Sequence, residues 1–227
     1  MTTTAGTQRI PLDRDRVLAA AVDLADHEGL DAISMRGLAA GLGVVPMALY
    51  KHVADKDDLI DGMVDTVVTA YAATDPALTG ADAVRSRILA ARRALVEHPW
   101  MRRAIETRTR RTPAVLAHMD DVAGAFLAAG YSVDLTHHAM HALGHRIWGF
   151  SPEAFEEPPR TPPTPAEQEA TLRVMSERYP HITAIALDTA TRNPSGACDE
   201  QDEFEFTLDL LLDAFARLRD AGWASHP

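Results

Sequence analysis

The segment 34–56 constrains the fold most, because it combines two short helical patterns with a glycine-rich break and a proline restart. Ser34 suits the N-cap of the first helix, since its hydroxyl can accept a hydrogen bond from a free amide of the first turn. Gly41 and Gly43 end that helix, and Gly43 fits the left-handed backbone of a turn. Pro46 fits the first turn of the next helix, where its missing amide hydrogen costs nothing. This order predicts a helix-turn-helix, whose second helix enters the major groove of DNA.

The net charge of the chain is an argument against DNA binding. The chain has 33 acidic and 22 basic side chains and a formal net charge of −11, and such an excess repels phosphate until salt screens it beyond about 8 to 10 Å. The excess is uneven, however. The last third is rich in Asp and Glu, whereas the segment 34–56 carries Arg36, Lys51 and Lys56 against Asp55. A small basic face on an acidic body remains compatible with DNA.

Length and composition predict a globular protein with one large domain or two unequal ones. Of the 227 residues, 46% are apolar, which is near the globular average. No apolar run is long enough to cross a bilayer, and residues 1–12 have the character of a flexible tail rather than of a secretory signal. The single cysteine, Cys198, fits a reducing compartment, so we predict a cytoplasmic protein.

Helical periodicity runs through the rest of the chain, and no strand pattern of similar strength is present. The predicted fold is all-α, with a three-helix head and a larger helical domain for ligand binding and dimerisation, about nine to ten helices in all. We place the helix-turn-helix domain at 13–56, a connecting helix at 57–75 and the larger domain at 76–221, between tails at 1–12 and 222–227. Asp13 is the expected cap of the first helix, and Asp55 is the expected cap of the connecting helix. The predicted helices of the larger domain are 81–97, 100–106, 112–129, 132–149, 166–179 and 202–221, with a proline-rich loop at 151–165.

A longer motif surrounds the second short helix. The chain reads Gly-Val at 43–44, Leu-Tyr-Lys-His-Val at 49–53 and then Lys56, after a Ser-x-Arg helix start at 34–36. These residues resemble the TetR family of transcriptional repressors, in which such a run forms the recognition helix. The resemblance is specific over 13–60, and the C-terminal half is more loosely similar to the tetracycline-repressor branch. It implies a homodimer that binds a palindromic operator and is released by a small-molecule effector.

The resemblance also implies which residues contact the DNA backbone. Tyr50 and His52 are expected at phosphates, and Lys56, at a helix start, supplies a cation beside free amides. On a lone helix Tyr50 would be a core or rim aromatic, but within this motif DNA contact is favoured. Val44, Leu49 and Val53 are assigned to the core of the head, without a role in DNA contact.

Base recognition is expected to depend on few residues. Arg36 is placed to reach a guanine edge, the commonest specific contact of arginine, or a phosphate. Pro46 and Met47 occupy positions that meet bases, where the family often has more polar residues, so their contribution should be apolar, such as contact with a thymine methyl. The predicted DNA-binding set is Ser34, Arg36, Pro46, Met47, Tyr50, Lys51, His52 and Lys56.

Four histidines lie on the predicted helix 132–149. Their spacings of three and four residues can bring two imidazoles to one metal ion, but the sequence identifies no third ligand, so we predict no metal. We favour a partly buried dimer-contact helix whose histidines bond to neighbours. A metal-sensing regulator, or a small helical metal-dependent enzyme, is the alternative. The histidines are His137, His138, His141 and His145.

Motifs of common enzymes are missing from the sequence. It contains no His-Glu-x-x-His, Gly-x-Ser-x-Gly or paired-cysteine pattern, so we predict neither catalysis nor a cofactor. The helices 132–149 and 202–221 are the expected dimer interface, because apolar residues of the last helix alternate in steps of four and three. Packing of this stripe inside one subunit is the alternative.

The effector pocket is expected among the middle helices. Arg103 or Arg108 near Trp100 would suit an anionic ligand, although aromatic and methionine side chains at helical spacing are more often core than pocket. The identity of the effector does not follow from the sequence. The predicted lining residues are Trp100, Met101, Arg103, Arg108, Met119, Phe126, Met140, His141 and Trp148.

Overall fold

The computed structural model describes residues 11–71, 75, 77–108, 111–148, 164–192 and 199–226. Within these ranges the chain forms eleven α-helices and one 3₁₀ turn (Leu30–Ala32) and no strand, which confirms the all-α fold. The helices are α1 Arg14–Glu28, α2 Met35–Gly41, α3 Pro46–Leu49, α4 Lys56–Tyr71, α5 Gly80–Glu97, α6 Trp100–Thr107, α7 Pro113–Ala128, α8 Val133–Trp148, α9 Pro165–Arg178, α10 Pro180–Arg192 and α11 Glu200–Asp220. In the part of the chain that the structure describes, no helix is long and apolar enough to span a bilayer.

The local signals at the start of the chain act as predicted. The side chain of Asp13 accepts a hydrogen bond from the Arg16 amide (2.8 Å) and caps α1. Gly43 has a φ of 67°, the left-handed conformation that the turn after α2 requires. Pro46 occupies the first turn of α3. The head (α1 to α4) therefore begins and breaks its helices where these residues dictate.

One helix is absent from the sequence prediction. The patterns give no helix over 180–192, where the structure has α10. Ile182, Thr183 and Ile185 are β-branched, which lowers intrinsic helix propensity. The helix is accounted for by its packing against α9, with which it forms a helical hairpin. The predicted proline-rich loop 151–165 lies almost wholly outside the described residues, as does Cys198.

Two hydrophobic clusters form the interior. The first joins the head to α6, and the second joins α5, α7, α8 and α11. Because α6 contributes to the first cluster, the head shares its core with the body (α5 to α11). Representative members of the first cluster are Val17, Leu38, Leu49, Met63, Trp100 and Met101, and of the second Ile88, Phe126, Leu135, Leu143, Leu208 and Phe215.

The last helix runs antiparallel to α8. The Ser225 amide, beyond the end of α11, donates to Asp134 at the start of α8 (2.6 Å). At the opposite end, Arg146 donates to the Glu203 carbonyl (3.1 Å). The inner faces of these helices enter the second cluster, and their outer faces lie on the surface of the chain.

The hairpin of α9 and α10 is exposed. In this hairpin only Thr183 is buried among the described side chains. Its large apolar side chains face solvent in the single chain, which leaves it without a core of its own. They are Leu172, Val174, Tyr179, Ile182, Ile185 and Leu187.

Candidate nucleic-acid interface

The short helix α3 is anchored on one side and exposed on the other. Leu49 is fully buried in the head core, whereas Val45, Met47 and Tyr50 are 68%, 71% and 46% exposed. Pro46 lies among them and is also exposed. The helix therefore presents an apolar ridge with one phenol hydroxyl, which suits contact with thymine methyl groups and one phosphate.

Helix α2, which precedes α3, is capped by Ser34 as predicted, and the cap lies close to Gly37 in the first turn. The Ser34 hydroxyl accepts a hydrogen bond from the Gly37 amide (3.1 Å). A Cβ at position 37 would lie 2.9 Å from that hydroxyl oxygen, closer than real Cβ contacts allow. A side chain at position 37 would therefore force the Ser34 hydroxyl to shift, and sequence patterns did not single Gly37 out. Arg36, beside it, is exposed.

The chain that leaves α3 is held by two charged side chains. Arg14 of α1 donates to both carboxylate oxygens of Asp58 (2.7 and 3.1 Å) and to the His52 carbonyl (2.7 Å). Asp58 also accepts from the Ala54 amide (2.7 Å). We call this arrangement the Arg14–Asp58 clamp. It fixes the end of the recognition segment against α1 and α4.

Sequence reasoning missed the Arg14–Asp58 clamp. Asp55 accepts a hydrogen bond from the Asp58 amide (2.8 Å), so it caps α4 as predicted. An acidic residue three positions after such a cap is the sequence signal that could have drawn attention to Asp58. Arg14 carries no comparable signal, because its partners lie 38 and 44 residues away.

Arg14 and Asp58 each stabilise the charged form of the other. The hydrogen bonds from Arg14, followed by the bond from the Ala54 amide, hold the pKa of Asp58 below its usual value. The hydrogen bond to Asp58 raises the pKa of Arg14. Both groups are therefore charged at neutral pH, and the bidentate geometry adds direction to their attraction.

The cations of the predicted interface are available for phosphate. Arg36, Lys51 and Lys56 are exposed, and none forms an ion pair with a residue in the described ranges. His52 is half-buried, and its carbonyl is used by Arg14. The arginines of α5 and α6 differ, because most of them are paired with acids, as Arg85 is with Glu205 and Asp209.

The body contacts the head at the connection between α5 and α6. There the Trp100 indole donates to Asp26 of α1 (2.6 Å), and the His98 ring is bonded to the same carboxylate (2.8 Å). Trp100 is itself buried in the first cluster. One carboxylate of the head thus receives two bonds from the body.

Two arginines extend this junction along α6 and its end. Arg103 pairs with Asp31 (2.6 Å), and Arg108 pairs with Asp57 (3.2 Å) and Asp61 (2.8 Å) of α4. A movement of α6 would therefore be transmitted to α4 and the rest of the head through charged contacts as well as through the shared core.

Comparison with known proteins identifies the chain. Residues 17–63 match the family model of the bacterial regulatory proteins of the tetR family, and residues 79–218 match that of the tetracyclin repressor-like C-terminal domain. The chain belongs to the TetR family of transcriptional regulators.

Two relatives match this chain over different lengths. The HTH-type transcriptional repressor DrrR1 of Streptomyces coeruleorubidus is 31% identical over 215 residues, covering 89% of this chain and 76% of the relative. An HTH-type transcriptional regulator of Saccharopolyspora erythraea is 34% identical over 121 residues, covering 53% of this chain and 51% of that regulator. This second match therefore spans only about half of that regulator's length.

A solved structure with a bound ligand shares the fold. The TetR family protein ActR of Streptomyces coelicolor, in complex with actinorhodin, superposes with a TM-score of 0.65 at 25% identity. The superposition covers 91% of this chain and 96% of that chain.

The predicted pocket residues of this TetR-family chain do not form one group. Trp100 and Met101 lie in the first cluster, while Arg103 and Arg108 lie at the junction with the head. Phe126 is buried in the second cluster, Met140 packs against that cluster, Met119 is half-buried and His141 is exposed. The side chain of Trp148 is outside the described part. Their role in ligand binding stays a prediction.

A groove that the sequence did not indicate lies between α4 and α5. Its volume is about 280 Å³, and none of the predicted pocket residues lines it. Burial raises the pKa of Tyr71 in this groove to about 12, and its ring stands edge-on to His118 of α7 (5.2 Å). Burial lowers the pKa of His118. The lining residues are Ala70, Tyr71, Ser86, Ala90, Arg93, Ala94 and Glu97.

The four histidines of α8 are exposed rather than partly buried in the single chain. His138 contacts two neighbours, since its Nε2 atom lies 3.6 Å from Asp134 Oδ1 and its ring stands edge-on to the Trp223 ring. The other three contact mainly one another. In the part of the chain that the structure describes, no three His, Cys, Asp or Glu side chains are grouped as a metal site.

Proposed function

We propose that this chain is a transcriptional repressor that binds a palindromic operator as a homodimer and is released by a small-molecule effector. The observation that carries the proposal is the exposed face of α3. Met47 and Tyr50 are exposed there, while Leu49 and the Arg14–Asp58 clamp fix the helix from behind. A rigid helix with an exposed ridge is what insertion into a major groove requires.

The charge distribution supports binding to the DNA backbone. Arg36, Lys51 and Lys56 have no acidic partner within the described ranges, whereas most arginines of α5 and α6 do. Phosphate contacts of this kind set affinity and register, and few base contacts then set sequence preference. We assign base contact to Arg36 and Met47, and phosphate contact to Tyr50 and Lys56.

The dimer is proposed on the outer faces of α8 and α11. Phe206 and Leu210 are 62% and 51% exposed on α11, and they lie on the face opposite Leu208 and Leu212, which enter the second cluster. A two-fold dimer would cover this face in both copies at once, because each copy offers the same patch. The exposed apolar side chains of α9 and α10 are a further surface that a second copy would cover.

The effector is proposed to act through the junction between head and body. The relative ActR binds actinorhodin in its solved complex, and this chain has a groove at Tyr71, at the end of α4. Displacement of α4 by a ligand would move the head directly, and displacement of α6 would be passed to it by Trp100 and Arg108. The two recognition helices would then lose their spacing on the operator.

Selection of bound fragments from the genome that encodes this chain tests the proposal. Fragments containing a palindrome should be enriched, and Tyr50→Ala and Lys56→Ala should weaken binding to all of them. Loss of the Lys56 cation from each chain should reduce the slope of log affinity against log salt by about two in the dimer, whereas loss of the neutral Tyr50 hydroxyl should weaken binding without changing that slope. Arg36→Ala should also relax base preference.

The exposed Arg173 of α9 provides a matched control, because it is far along the chain from the head and its loss removes the same charge. Arg173→Ala should leave operator affinity unchanged. Normal operator binding and normal repression by an Arg36→Ala, Tyr50→Ala double variant would exclude this assignment of the interface.

A further inference from the structure

The outer face of α8 carries a pair of imidazoles with the geometry of half a metal site. His137 and His141 are one helical turn apart, and their ring centroids lie 4.6 Å from each other at an interplanar angle of 62°. Two imidazoles that hold one tetrahedral zinc ion through ring nitrogens have centroids about 5 Å apart. The next pair, His141 and His145, is wider at 6.4 Å, so the first pair fits such an ion better.

These two side chains are not engaged elsewhere. Both are exposed, and within the described residues their contacts are with other histidine rings rather than with hydrogen-bond acceptors. His138, in contrast, lies 3.6 Å from Asp134 and contacts the Trp223 ring. The helix itself is held in place, because Ala139 and Leu143 on its other face are buried. The pair is therefore positioned by a helix with a buried inner face, and no hydrogen bond from the described residues occupies its ring nitrogens.

One chain alone supplies only two ligands. Zinc sites that hold a structural ion use four ligands, and the described part of one chain contains no group of three ligating side chains. In a two-fold dimer, however, a residue near the axis faces its own copy. The outer face of α8 lies in the proposed dimer surface, so the inference rests on the proposed function. A second copy would bring its own His137 and His141 to the same place.

We infer that a divalent transition-metal ion of the zinc type is bound between two copies of this chain by His137 and His141 of each. Four imidazole nitrogens in a tetrahedron form a complete coordination shell for such an ion. The net charge of −11 draws cations to the surface. An ion at this position would stabilise the dimer, because it binds only the assembled state.

The test uses the full-length chain, stripped of metal with EDTA and titrated with zinc against a chromogenic chelator. The expected stoichiometry is one zinc per two chains. Loss of a residue that only hydrogen-bonds to a metal ligand lowers metal affinity by about 10–100-fold. His137→Ala and His141→Ala each remove a ligand itself, so each should weaken zinc binding by more than that. His138→Ala is the matched control and should bind zinc as the unchanged chain does.

The inference is overturned by any of the following outcomes: no zinc uptake, one zinc per chain, zinc binding that survives the His137→Ala, His141→Ala double variant, or an equal loss in His138→Ala. All three histidine positions are exposed, and circular dichroism of each variant, with His137→Gln and His141→Gln as second variants, verifies the helix content.

Light scattering distinguishes failure of the metal site from failure of the proposed homodimer. A stripped chain that is dimeric and binds operator but takes up no zinc refutes the metal site alone, whereas a chain that stays monomeric with and without zinc refutes the homodimer as well.

Discussion

The head and the α9–α10 hairpin are both small helical units, but they treat their apolar side chains in opposite ways. In the head, residues such as Val17, Leu49 and Met63 are fully buried. In the hairpin, Ile182 and Ile185 are 61% and 62% exposed. The two regions have similar residue types, so the difference lies in the neighbours that each helix has. The head is stabilised by contacts within one chain, whereas the hairpin leaves most of its large apolar side chains exposed in the single chain.

The head and the hairpin also differ in the free energy that they gain from side-chain burial. Full burial of a Leu or Ile side chain stabilises a fold by about 1.5–3 kcal/mol relative to its exposed state. The head has this stabilisation in the single chain. The hairpin would gain it only when a second copy covers Ile182, Ile185 and their neighbours, so substitutions in the two regions should affect different equilibria.

The largest effect is expected for Leu49→Ala. The side chain is fully buried in the head core, and such a truncation costs about 2–5 kcal/mol of unfolding free energy. Urea denaturation followed by circular dichroism measures the loss. Leu172→Ala is the matched control, because Leu172 is 43% exposed in α9 and its truncation should change the value by less than about 0.5 kcal/mol. Equal losses in both variants would contradict the comparison.

A smaller effect is expected for Asp58→Asn, which removes the charge of the Arg14–Asp58 clamp. After allowance for solvent screening, the loss should be about 1 kcal/mol at neutral pH. Because the folded pKa of Asp58 is lowered, its contribution is present above the unfolded pKa of about 3.9 and disappears as the pH falls through the folded value. The stability difference between wild type and variant should therefore vanish in acid. A difference that persists at low pH would show that charge is not its source.

The next effect concerns the cap of α2. Ser34→Ala removes the acceptor of the Gly37 amide and should cost about 0.5–1 kcal/mol, whereas Ser34→Gly should cost only a few tenths. Thermal unfolding of the three proteins gives the order. A Ser34→Ala protein as stable as the wild type would mean that water satisfies the amide equally well.

The smallest effect on the single chain is expected for the Ile182→Ser, Ile185→Ser double variant. Both positions are exposed, so the unfolding free energy at a concentration where the chain is monomeric should change by less than about 0.5 kcal/mol per position. The dissociation constant of the dimer, measured by analytical ultracentrifugation, should rise. A dimer of unchanged affinity would show that the hairpin is not covered by the second copy.

Local signals were enough to predict the head. The caps at Asp13, Ser34 and Asp55, the glycine at 43 and the proline at 46 each act within a few residues, and the structure has them as expected. The clamp could not be predicted in the same way. It links Arg14 to groups far along the chain, and no short pattern encodes such a contact.

The sequence was least informative for residues whose type suits two different environments or structures. Trp100 and Met101 have the spacing of either a pocket or a core, and the structure has them in the first hydrophobic cluster. Helix α10 was missed for a related reason, since its β-branched residues lower helix propensity and only packing against α9 favours the helix. In both cases the deciding neighbour lies on another element.

The shared core at α6 limits how such regulators can be recombined. A chimera that joins a foreign head to this body would have to supply acidic residues opposite His98, Arg103 and Arg108, and an apolar seat for Trp100. Without them, buried and charged groups would be left unmatched at the seam. An exchange point after residue 108 moves α6 with the head and preserves these contacts, but it also moves α5 away from its partners in the second cluster and from Glu205 and Asp209, which pair with Arg85. Either boundary therefore cuts a shared core and has to be matched on both sides.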